Sequence, residues 1–203
     1  RKKEEIENWL NEYKITNYYL IEDKEYGYVV NVNSYVNLFE EKLNHIKVKF
    51  NKIGGNFICG NNELESLEGC PEIIGGYFDC SNNQLTSLEG CPKIIGDNFY
   101  CSQNLLKTLK GGPEIVEGGF FCFANQLTSL EGCPEIINGD FICSKNQLIS
   151  LKGCPKIIAS DFDCNSNNLD IEGLFDLPKK VKNNFYCDRN EKLGKLQDIG
   201  NIE

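Results

Sequence analysis

Residues 57–77 read FICGNNELESLEGCPEIIGGY, residues 78–98 read FDCSNNQLTSLEGCPKIIGDN, and residues 99–119 read FYCSQNLLKTLKGGPEIVEGG. FFCFANQLTSLEGCPEIINGD (120–140) and FICSKNQLISLKGCPKIIASD (141–161) follow without a gap. A 23-residue copy begins at Phe162 and a partial one at Phe185. A fixed 21-residue period predicts a solenoid, whose units bury their apolar edges only by stacking on their neighbours. Function on such a fold is sought on a surface before it is sought in a pocket.

Each copy opens on F-x-C-x-x-N-x-L, as at Phe78, Cys80, Asn83 and Leu85. The alternation of Phe and Cys is the period of a short strand with one face inside. Asn62, Asn83, Asn104, Asn125, Asn146, Asn167 and Asn190 recur at one turn position and are expected to form a ladder bonding the backbone of adjacent rungs. Losing one such partner costs about 1–3 kcal/mol. Two Leu columns follow, from Leu64 and Leu67 onward, and then Gly-Cys-Pro. Pro has no N–H to give a central strand, so this segment is expected to be extended and solvated on the far side.

These residues resemble the leucine-rich repeat, from Phe57 to about Leu193. Phe and Cys replace the usual strand leucines. The apolar residue ahead of the strand (Ile74, Ile95, Val116, Ile137) stands four residues before the Phe, not three, which predicts a small bulge helped by Gly54, Gly75 and Gly96. The phrase N-x-L-x-S-L-x-G-C-P is similar to a subtype common in bacteriophage and mobile-element proteins, and more distantly to bacterial effector repeats. The resemblance implies an α+β repeat solenoid with a parallel β-sheet on the concave face, an irregular convex side and an N-terminal helix-plus-strand cap. It implies no particular activity.

Residues 1–49 are read as the cap and 50–203 as the solenoid. Ile6, Trp9, Leu10 and Tyr13 share one face of a helix whose first turn carries Glu4 and Glu5. Strands near 18–21 and 28–32 suggest a hairpin. Val36, Leu38, Leu43 and Ile46 repeat the rung spacing without its Asn, as a degenerate first rung. At the other end Leu193, Leu196, Ile199 and Ile202 are left to close the stack, an end open to pairing with another chain.

The net charge of −9 argues against direct nucleic-acid binding and against an anionic membrane surface. No stretch of 18 apolar residues occurs, and no apolar leader is visible in the first 30. With no Met, the chain is expected to be processed or trimmed. The 11 cysteines fall into a strand column (Cys59 to Cys187) and a turn column (Cys70, Cys91, Cys133, Cys154). Side chains stacked in parallel point the same way and do not converge on a disulfide or a zinc ion. They are read as reduced packing residues of a cytoplasmic protein in a bacterial host. No metal, no cofactor and no catalytic residue is expected, and a monomer is favoured.

The informative positions are those where the rungs disagree. Tyr100, Phe121, Phe123 and Ile142 should form an apolar patch on the outward strand face. Asp79 lies on one side of it and Asp140, Asp161 and Asp163 on the other, with Tyr77 and Tyr186 on the same surface. Aromatics on a rigid surface with a polar surround are what a protein-binding hot spot requires. Seven rungs span about 30 Å, close to what the ~800 Å2 per partner of a standard interface needs. The expected function is therefore non-enzymatic capture of a protein partner. Two other expectations stand beside it. One is anti-defence inhibition, of the anti-CRISPR kind, of a basic nucleic-acid-binding effector; the other is a structural module of a larger assembly. The alternation Glu89–Lys110–Glu131–Lys152 on the opposite side is read as a solvated charge ladder worth at most ~1 kcal/mol per pair.

Overall fold

A computed structural model describes residues 2–194. The chain forms a solenoid of stacked parallel strands with few helices. Helix α1 (Lys3–Glu12) is followed by an antiparallel hairpin, β1 (Tyr18–Asp23) and β2 (Gly27–Val32). From Val36 onward each rung contributes two very short strands, one to each of two faces.

The first face is an eight-stranded parallel sheet running rung by rung from Val36–Asn37 to Phe185–Tyr186. The second is built from the Ile-Ile doublets. The hairpin, Phe50–Ile53, Ile73–Ile74, Ile94–Ile95 and Ile115–Val116 form one sheet. Ile136–Ile137, Ile157–Ile158 and Lys180–Val181 form another. The residue ahead of the Phe is thus not bulged. The doublet is a strand in its own right, and the next three residues turn the corner between the two faces.

The core is a column of rings. Phe57, Phe78, Phe99, Phe120, Phe141 and Phe162 are fully buried, with successive centroids 4.9–5.9 Å apart. Phe50 extends the column to Trp9 of α1 at 6.2 Å, and Trp9 meets Tyr13 at 4.7 Å. Ile6, Trp9 and Leu10 are buried, as the helix periodicity predicts. Val36 and Asn37 pair in register with Phe57 and Ile58, so the degenerate first rung is a true rung.

The Asn ladder forms. Asn125 Nδ2 donates to Cys101 O of the rung before (3.1 Å) and to Cys122 O of its own (3.1 Å). Its Oδ1 accepts the N–H of Leu106, again from the rung before, at 3.1 Å. Asn83, Asn104, Asn146 and Asn167 repeat the pattern. The residue before each Asn is left-handed, φ 53–56°, whether it is Asn82, Gln103, Ala124, Lys145 or Ser166.

The Gly-Cys-Pro segment differs from its expectation. Pro71, Pro92, Pro113, Pro134 and Pro155 are buried rather than solvated. The Gly before them turns the chain inward at positive φ, +99° at Gly132, where an added Cβ would lie 2.5 Å from backbone of the preceding rung. The two cysteine columns consequently face one another inside the rung. The Cys70 thiol, first, and then burial drive the Cys59 thiol well above its ordinary value. Burial does the same to Cys80, Cys101, Cys122 and Cys143. All 11 cysteines are unbridged.

Outside, Glu131 bridges Lys110 at 3.4 Å and Lys152 at 2.8 Å, and its carboxyl is held below the usual range by Lys152 first and Lys110 second. Leu193 packs on the core, whereas Leu196, Ile199 and Ile202 lie outside the described residues.

Candidate functional site

The outward column of the Phe sheet is fixed by its ladder. Asp79 pairs with Tyr100, Tyr100 with Phe121, Phe121 with Ile142, Ile142 with Asp163, and Asp163 with Tyr186. Asp79, Tyr100, Phe121, Ile142 and Asp163 each follow a buried Phe and precede a buried Cys, so strand alternation turns them outward, whereas Tyr186 stands between the exposed Phe185 and the half-buried Cys187. The order along the solenoid is acid, Tyr, Phe, Ile, acid, Tyr.

The aromatic centre is organised. Tyr100 and Phe121 stack at 4.7 Å with planes 14° apart. Tyr77, from the corner before Phe78, meets Tyr100 edge-on at 6.0 Å. Asn98 Nδ2 donates to Tyr100 Oη at 2.9 Å and so fixes the phenol. The Phe121 ring lies over Gly119, where a Cβ would come within 2.8 Å of it, so the missing side chain there makes room for the ring. Phe123 is half-buried, in the column that holds the buried Ser102 one rung earlier and Ser144 one rung later. Ser102 Oγ donates to Phe121 O at 3.0 Å. Tyr77, Tyr100, Phe121 and Ile142 are thereby contiguous, whereas Tyr186 is set apart by Asp163.

The four aspartates have a second role that sequence reading missed. Asp79 Oδ1 accepts the N–H of Ser81 (2.9 Å) and Asp163 Oδ1 that of Asn165 (2.8 Å). Asp140 Oδ1 takes the N–H of Asp161, and Asp161 Oδ1 that of Asn184, one rung on in each case. Asn56 and Asn98 do the same for Tyr77 and Gly119. The corner position is therefore a second side-chain ladder, whose signal was the recurrence of Asn and Asp just ahead of the Phe. Among the described residues none of these four carboxylates forms an ion pair.

A second outward column lies on the face built from the Ile-Ile doublets. Ile94, Ile115, Ile136 and Ile157 are 38–50% exposed, because only the second residue of each doublet turns inward. The repeated Ile-Ile pair was its signal.

Among the described residues no group of three or more His, Cys, Asp or Glu is placed to hold a metal ion, and no helix is long and apolar enough to cross a membrane. His45 lies in a groove with Trp9, Glu12 and Lys47, its Nδ1 2.6 Å from Asn44 Oδ1. Trp9 Nε1, buried, has no hydrogen-bond partner among the described residues. Comparison with protein-family models, with curated proteins and with solved structures finds no match.

Proposed function

We propose that the chain is a non-enzymatic protein-binding module of leucine-rich-repeat type, whose Phe sheet is the concave, partner-facing surface. The observation that carries this reading is the Tyr100–Phe121 stack, held half-exposed between Asp79 and Asp163 on a sheet whose every rung is pinned by an Asn. Rings already ordered by Asn98 and Gly119 lose little conformational freedom on contact, which favours a hot spot.

The acid edge favours a basic partner. Each aspartate has one oxygen engaged by backbone, which orients the carboxylate while leaving its charge without an ion pair among the described residues. A nucleic-acid-binding effector, with an inhibitor competing for its phosphate-contacting residues, belongs to this class. Capture of a purified nuclease effector by the immobilised protein should then weaken steeply with salt. It should also suppress cleavage in a reconstituted reaction. Salt-insensitive binding, or unchanged cleavage at saturating protein, would remove the basic-effector reading and leave capture through the aromatic patch standing.

A further inference from the structure

On the second face, Ile73, Ile94, Ile115, Ile136 and Ile157 stand outward in successive rungs. The ribbon is about 19 Å long at the spacing of stacked strands. Lys52 occupies the same position in the rung before and Lys180 in the rung after. The column thus reads Lys, five apolar residues, Lys, the same in both directions, with Ile115 at its centre. Outward isoleucines in five successive rungs, four of them exposed and Ile73 half-buried, make an apolar surface that a lone soluble domain seldom presents.

We propose that this ribbon is a self-association surface, on which two copies pack face to face and antiparallel about a two-fold axis at Ile115. The occupant is chosen by the charges beside the ribbon. The exposed residues just ahead of the isoleucines are, in order, Glu72, Lys93, Glu114, Glu135 and Lys156. A two-fold axis along the strand direction keeps this column opposite itself and reverses its order. Glu72 then meets Lys156 of the second copy, and Lys93 meets Glu135 of the second copy. Symmetry makes each of these pairs twice. The two Glu114 side chains meet at the axis, each beside its own Lys93 at 3.9 Å. A copy packed in parallel, about an axis along the stack, would instead carry this column to the other side of the ribbon and leave its charges without these partners. Lys52 and Lys180 lie opposite one another at the rims, where their long stems turn the ammonium groups to water and stop the ribbon from extending into a fibre. The ribbon alone is smaller than the ~800 Å2 per partner of a standard interface, so the charge pairs set register and the association is weak.

Sedimentation equilibrium up to about 1 mM protein tests this directly. The unaltered chain should shift reversibly from monomer toward dimer and no further. Ile115→Lys, placed twice at the axis on an exposed side chain, should raise the dissociation constant at least about tenfold with unchanged circular dichroism. Lys93→Glu should weaken association, and adding Glu135→Lys should return it to within about twofold of the original. A monomer at every concentration, a dimer indifferent to Ile115→Lys, or a double charge reversal that fails to restore association would each overturn the proposal.

Discussion

Asn125 shows what a single side chain does for a rung. Its amide bonds carbonyls of two rungs and takes a buried N–H of the earlier one. Asn125→Ala leaves those groups without partners and without water, and should cost about 3 kcal/mol, read as a lower urea midpoint with an unchanged slope. The Asn column was legible in the sequence because only an amide supplies donors and an acceptor at one site. The left-handed residue beside it was not legible. Gln103, Ala124, Lys145 and Ser166 share φ 54–56°, yet no residue type marks the position. The ladder bonds on either side impose that conformation. The aspartates were half-legible: their charge was plain, but their service to backbone N–H groups depends on which rung lies opposite.

At the scale of elements, the doublet strands decided what the sequence could not. An apolar pair with a glycine-rich sequel fits a bulge as well as a corner, and only stacking distinguishes them. In the Phe sheet every rung bonds the next. The second face is continuous up to Ile115–Val116 and resumes at Ile136–Ile137 as a separate sheet. Lys93 and Gly96 donate to the previous rung at 2.9 Å, whereas at the discontinuity the contact is a side-chain bond from Asn138 Nδ2 to Glu117 Oε2. Amide hydrogen exchange should therefore be faster at Glu135 and Asn138 than at Lys93 and Gly96, by about tenfold or more. Equal protection at the two places would show the second face to be one unbroken sheet. The proline segments carry the same lesson: a residue without an N–H was read as solvated, but it sits inside the coil, where no ladder asks it for a donor.

At the scale of the whole molecule, stability is collective, and pH exposes it. Burial raises the thiols of Cys80, Cys101, Cys122, Cys143 and Cys164, so the folded chain holds their protons more tightly than the unfolded chain does. Their contribution is complete below the ordinary thiol value of about 8.5 and falls as pH rises above it, by about 1.4 kcal/mol per pH unit for each thiol. The melting temperature should hold level to about pH 8 and drop steeply by about pH 10. Cys101→Ala should start lower but decline less steeply. Repeat periodicity made the solenoid legible from sequence, while the facing of the two cysteine columns needed the inward turn at Gly-Cys-Pro. Residues that build the rungs are separate from residues that vary between them, and partner capture belongs to the second set. A paired measurement of stability and partner capture on Asn125→Ala and Phe123→Asp tests that separation. Phe123→Asp should lose capture with melting temperature within a few degrees of the parent, and Asn125→Ala should lose stability while its folded fraction still binds. Capture retained by Phe123→Asp, together with Tyr100→Asp, would contradict the account.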